Sequence, residues 1–195
     1  MKRLPDRRRP RRAWLGRMLV GVACLAAFGA AGGAARAVPD MERKIKAAFL
    51  YKFLDYTEFP AAAFADAAAP LVIGVLAADD VAEELGRIVT RRNVQSRTVA
   101  VRTLRDNEMA SGVHLLFVGG NDAARVRGVL GALPPAPLLL VTEAENGLQQ
   151  GSVINFKVVD ERVRFDVSLE AADRNGIKLS SRLLTVASQV HKGAP

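Results

Sequence analysis

The sequence predicts an α/β protein: a single-domain sandwich on a mixed, mainly parallel sheet, finished by a C-terminal antiparallel hairpin. Three observations carry that expectation. The unbroken apolar run Leu71–Leu76, the largely apolar run Val113–Val118 and the short run Leu138–Val141 have the pattern of strands buried on both faces. Stretches of helical period separate them, which is how parallel β-α-β units are written. The chain then turns to two-residue alternation over Val153–Val159 and Arg162–Ser168, divided only by Asp160-Glu161, as a hairpin requires.

The elements follow in order. Met41–Tyr56 places Ile45, Ala48, Phe49, Leu50, Phe53 and Tyr56 at three- and four-residue steps, which predicts the first helix, with Pro60 as its stop. Its apolar positions cover more than one stripe. Either it is deeply buried, or part of this region (Tyr51, Phe59) meets another chain. Pro60–Pro70 is an alanine-rich connection to the first buried strand. Asp80 with Glu83 reads as a capping-box start for a helix striped by Val81, Leu85, Ile88 and Val89. Arg97–Arg102 alternates as a half-buried strand. Gly119-Gly120-Asn121 leads from the second buried run into a helix aligning Val126, Val129, Leu130 and Leu133, stopped by Pro134, Pro135 and Pro137. Leu169–Asn175 is a short helix closed by Gly176. Ser180 or Ser181 caps a last helix bearing Leu183, Val186, Ala187 and Val190.

Charge is distributed unevenly. The net charge is +8, and Met1–Ala37, with nine basic residues and only Asp6 acidic, holds all of it. Arg-rich to Arg12, apolar from Trp14 to Ala31 and ending in Ala35-Arg36-Ala37, this segment has the three parts of a secretory leader cleaved after Ala37. An uncleaved anchor is the alternative. Gly29 to Gly33 argue against it, since a span needs about 20 strongly apolar residues. Arg11-Arg12 leaves open a twin-arginine route. Cys24 lies in the leader, so residues 38–195 contain no cysteine, hence no disulfide or thiolate ligand. The expectation is a periplasmic domain over 38–195, without net charge to draw it to nucleic acid or anionic lipid.

Candidate chemical groups are few. Asp79 and Asp80 follow the first buried strand, where open α/β sheets hold their sites, and resemble a receiver-domain acidic pair. That chemistry also needs an Asp ending a later strand, where Gly119-Gly120 stands instead. A helix cap is the reading kept. Gly119-Gly120-Asn121-Asp122 opens a helix, but its spacing is not a dinucleotide fingerprint and Asp122 repels phosphate, which favours a tight turn. His114 is expected inside a strand as a hydrogen-bonded core residue, and His191 on the last helix. Two distant histidines without cysteines make no metal site. No catalytic residue, metal or cofactor is assigned.

Lys46-Ala47-Ala48-Phe49-Leu50-Tyr51-Lys52-Phe53, ending in Glu58-Phe59-Pro60, resembles the opening signature of the YfiR-like family of periplasmic regulators. Leu71–Leu76 and Val113–Val118 are similar to its strands. Ile154-Asn155-Phe156, Arg162–Ala172 and Gly176–Leu184 resemble its C-terminal signature. The resemblance runs in order through most of Met41–Val190. It implies a non-catalytic regulator that binds and represses an inner-membrane diguanylate cyclase or related sensor, lowering cyclic di-GMP and biofilm growth. It also implies a homodimer. Redox control known in the family does not carry over to a cysteine-free domain. The partner-binding positions it implies are Asp166, Arg174, Lys178 and Ser180, and the hairpin and first-helix region add Ile154 and Phe59. Lys178 and Ser180 stand where a relative carries Arg and His, which departs from an Arg fork. The alternative is a periplasmic small-ligand binder using the strand ends near Asp79, Gly119 and Glu143.

Overall fold

The computed structural model describes residues 34–193 except 107, 109, 134 and 135. The expected leader therefore falls, through residue 33, outside the described residues. By its contacts the chain divides into Met1–Ala37 and Val38–Pro195.

Helix α1 runs Ala34–Asp55, starting seven residues earlier than periodicity suggests. Ala34, Ala35 and Ala37 are the strongest helix formers and carry no apolar period to reveal themselves. It ends because the Thr57 hydroxyl donates to the Phe53 carbonyl (2.7 Å) and the chain enters β1, Thr57–Glu58. A short 3-10 turn, Ala61–Ala63, precedes β2, Leu71–Leu76. Helix α2 spans Asp79–Val89. Strand β3, Asn93–Val94, turns at Gln95-Ser96 into β4, Arg97–Leu104. Then come β5, Leu115–Val118, α3, Ala123–Ala132, and β6, Leu139–Thr142. The hairpin is β7, Ile154–Val159, with β8, Arg162–Ser168. Helix α4, Leu169–Arg174, strand β9, Lys178–Leu179, helix α5, Ser181–Val186, and strand β10, Gln189–His191, close the domain.

The main sheet has eight strands in the order β10-β8-β7-β6-β5-β2-β4-β3, and β1 pairs separately with β9. The run β7-β6-β5-β2-β4 is parallel, and β7–β8 and β3–β4 are antiparallel. The α/β expectation with a mixed, mainly parallel sheet holds. The hairpin is not the edge, however, because β10 adds to β8 in parallel. The expected last helix stops at Val186, and His191 lies on β10, not on a helix. Strand β8 would otherwise present unpaired backbone groups, and the Ser188 N–H donating to the Phe165 carbonyl (2.9 Å) begins their satisfaction.

Successive strands leave β2 in opposite directions, β4 on one side and β5 on the other, so helix α2 covers one sheet face and α3 the other. The larger core lies under α1, α2, α4 and α5. There Phe49 and Phe53, four residues apart on α1, meet the cross-strand pair Phe156 and Phe165. Phe53 stacks on Phe156 with centroids 5.7 Å apart and meets Phe165 edge-on at 4.9 Å. Tyr51 is buried with them. The first helix is thus held by burial, which answers its broad apolar surface.

Two turns carry the unusual backbone. Asp160 and Glu161 both have positive φ (49° and 58°), as the two-residue hairpin turn requires. Gly119 follows β5 where a Cβ would stand 2.6 Å from the Ala78 Cβ. Only glycine lets the loops after β2 and β5 meet, which fills the crevice between these diverging strands.

Candidate functional site

A groove of about 480 Å³ opens at the carboxyl ends of β5 and β6, bounded by α1 and the projecting part of β7. Its centre is Lys46. Leu50, one turn on, and Phe49 are seated in the core, which holds Lys46 over the strand ends. Its ammonium pairs with Glu42 on the preceding turn and with Glu143 just past β6. The other Glu143 oxygen accepts the Gly120 N–H (2.5 Å). One carboxylate therefore ties α1, the loop after β5 and the end of β6. Asn121 Oδ1 accepts the Glu145 N–H (2.6 Å), a second tie between the same loops.

Below these groups, the Thr142 hydroxyl donates to Asn155 Oδ1 (2.6 Å) and lies 3.0 Å from the Ser152 hydroxyl. A Cβ on Gly147 would collide with both Thr142 and Asn155. Lys157, on the groove wall, pairs with Asp166 of β8 at 2.8 Å. Burial opposes charge on Lys46, but its hydrogen bonds to Glu143 and Glu42 win and raise its pKa above the ordinary lysine value. The groove is an assembly of matched charges, suited to holding elements together or to a small polar ligand that exchanges for one partner.

Other expected groups have structural duties. Asp79 and Asp80 lie in the first turn of α2, whose N-cap is Ala78; the expected capping box does not form. They face the positive end of the helix dipole instead. Asp122 caps α3, accepting the Ala124 and Arg125 N–H groups (2.9 and 3.0 Å). The Arg125 N–H is the main cause holding its carboxyl below the usual range. With Gly120 N–H given to Glu143, this glycine turn is a cross-tie rather than an anion cradle. Asp79 does not line the groove, whereas Glu143 does.

His114 precedes β5 instead of lying within it. Nδ1 accepts the Val72 N–H (3.1 Å) and Nε2 lies 3.1 Å from the Ala63 carbonyl, so the proton belongs on Nε2. Its ring stacks on Phe64 (4.7 Å), which the Arg97 guanidinium covers from 3.8 Å. Burial foremost, with the Arg97 charge, lowers the His114 pKa against the opposing Ala63 bond.

The expected partner-binding residues divide into groups. Ile154 is 0% exposed; paired on both sides, it is a core residue, which corrects its assignment to a contact surface. Phe59, Lys178 and Ser180 come together around the β1–β9 ribbon, where Glu58 opposes Lys178 and the Ser180 N–H donates to the Tyr56 carbonyl (2.9 Å). Phe59 also packs edge-on to Phe64 and His114. Asp166 sits apart with Lys157, and Arg174 with Glu170 on α4 (2.7 Å). Glu42, Asn155 and Lys157 are groove residues that the sequence did not single out, and Lys46 stood out only as the start of the family-like segment. The Glu42-Lys46 spacing of four was the available signal.

Among the described residues no group of three or more His, Cys, Asp or Glu is placed to hold a metal. No helix among them is long and apolar enough to cross a membrane. A doubly wound parallel half, extended by a hairpin and closed by ion pairs at its strand ends, defines a mixed α/β protein. Residues 43–188 match the YfiR/HmsC-like family, and the chain belongs to it. The fold is similar to the crystal structure of a conserved domain protein from Vibrio cholerae O1 biovar El Tor, with a TM-score of 0.52 and 11% identity. That match covers 76% of this chain and spans 60% of the other. None of the curated proteins matches the chain.

Proposed function

We propose that the chain is a periplasmic, non-catalytic regulator that binds and represses an inner-membrane diguanylate cyclase or related sensor and acts as a homodimer. The observation that carries this reading is membership of the YfiR/HmsC-like family over residues 43–188. The basic, apolar and small-residue order of 1–37 supports export and cleavage after Ala37. The contact surface proposed is the β1–β9 ribbon with Phe59, Lys178 and Ser180, with Asp166 on β8 and Arg174 on α4 as separate contact positions. Exposed Lys178 beside half-buried Phe59 offers an apolar anchor with a polar rim. Repression requires tighter binding to one state of the sensor than to the other.

Photocrosslinking in cells from a benzophenone amino acid at position 178 tests this. The expected product joins the chain to a membrane diguanylate cyclase. Recovery of uncrosslinked chain only, from cells that contain the cyclase, would contradict it.

The groove favours a second reading, a small-ligand binder. Lys46, Asn121, Asn155 and Lys157 line it with donors and acceptors. A thermal shift with a metabolite that disappears in Lys46→Met would favour that role.

A further inference from the structure

Strand β4 is eight residues long, yet its outer neighbour β3 covers only Arg97 and Thr98. The two-residue turn at Gln95-Ser96 (φ 51° and 65°) makes Val94 and Arg97 the hydrogen-bonded pair beside it. Alternation along the strand then points the N–H and C=O groups of Val99, Val101 and Thr103 away from β2. No strand among the described residues takes them. The turn itself is fixed, since the Gln95 amide donates to the Leu54 and Thr57 carbonyls (3.2 and 2.9 Å). The open part of the edge is therefore a stable feature beside an anchored hairpin.

The same stretch is strongly basic. Residues 89–105 contain Arg91, Arg92, Arg97, Arg102 and Arg105 and no acidic residue, whereas the rest of residues 38–195 carries more acidic than basic residues. None of these arginines forms a salt bridge among the described residues. Arg97 is occupied, donating to the Ala69 carbonyl (2.6 Å) and stacking on Phe64. Arg102 gives one hydrogen bond to the Ser111 carbonyl (2.9 Å), and it is exposed along with Arg91, Arg92 and Arg105. The acids just beyond are engaged: Asp106 pairs with Arg125, and Glu108 accepts the Arg105 N–H.

We propose that the outer edge of β4 is a docking strand for an extended acidic segment of a partner protein, which adds to the sheet beside Val99–Thr103. Backbone groups supply the ladder, and the arginines select negative side chains. A second copy of this strand is disfavoured, because antiparallel pairing would bring the same arginines together. A lipid surface would satisfy the arginines but leaves the ladder groups unpaired. This proposal does not depend on the identity of the signalling partner.

The test uses the full domain and a fluorescent acetyl-Glu-Val-Glu-Val-Glu-Val-Glu amide, with the lysine counterpart as control. The acidic peptide should bind more tightly than the lysine one and slow amide exchange at Val99, Val101 and Thr103. Val101→Pro removes only an outward N–H, which an edge strand tolerates, so the fold should persist. Loss of one or two ladder bonds should weaken the peptide about tenfold. Arg92→Glu with Arg102→Glu should weaken it too while leaving exchange in the core unchanged. Equal binding of both peptides, protection away from these three amides, or binding unaffected by Val101→Pro would overturn the proposal. So would uptake on phosphatidylglycerol vesicles with no binding of the acidic peptide.

Discussion

The carboxyl-end groove and the β4 edge use charge on the same sheet in opposite ways. At the groove, Lys46 lies between two carboxylates and Lys157 meets Asp166, so charges tie α1, β6 and the hairpin to their neighbours. Along β4, the arginines face solvent or backbone carbonyls and lack carboxylate partners among the described residues. A paired, half-buried charge is part of the framework, and removing one partner leaves the other exposed to the full cost of desolvation. An unpaired surface charge does little for the fold and is free to select what approaches. The difference predicts that substitutions at the groove act on stability, whereas those on β4 act on association.

The largest effect should come from the aromatic core that holds α1 against the hairpin. Phe53→Ala should cost about 3–5 kcal/mol in denaturant unfolding. A loss below about 1 kcal/mol would mean that α1 is not seated as described, and the groove argument would fail with it. Lys46→Met comes next, at about 1–3 kcal/mol, because it strands the Glu42 and Glu143 carboxylates. Its pH dependence has a definite sign. The folded pKa of Lys46 is raised, so its stabilisation is fully present below about pH 10.5 and disappears as pH rises through the folded value. Unfolding midpoints at pH 8 and above pH 11 should therefore differ more in the wild type than in Lys46→Met; parallel curves would exclude the ion-pair account.

His114 gives the reverse dependence. Its folded pKa is lowered, so its contribution is intact above the unfolded value of about 6.5 and declines as pH falls towards the folded value. Melting of the wild type should drop more between pH 7.5 and 5.5 than melting of His114→Gln. A steeper fall in the variant would show that the ring is not held neutral by its bonds to Val72 and Ala63. The smallest stability effect belongs to β4: Arg102→Glu should stay within about 0.5 kcal/mol. A loss comparable to Lys46→Met would erase the distinction between the two regions.

The elements best read from sequence were those with local signatures. Leu71–Leu76 is apolar because both its faces are covered, and the Asp160-Glu161 break divides two alternating strands at the observed turn. Gly176, at φ 63°, closes α4 as its place after Asn175 indicates. What escaped depends on distant partners. Strand β10 is only three residues, defined by the free edge of β8, and β1 and β9 are two residues each, defined by one another. Ile154 was misassigned because alternation cannot distinguish a face buried under helices from one awaiting a partner. Glu143 was legible as a strand-end group. Its junction with Lys46, across 97 positions, was set by the packing of α1.

The proposed role of this domain is to restrain a cyclic di-GMP-producing enzyme. Its most direct test is the cellular cyclic di-GMP level after deletion of the gene and after restoration of the full chain. The account predicts a rise on deletion and a return on restoration. An unchanged level in cells that make the membrane cyclase would contradict it.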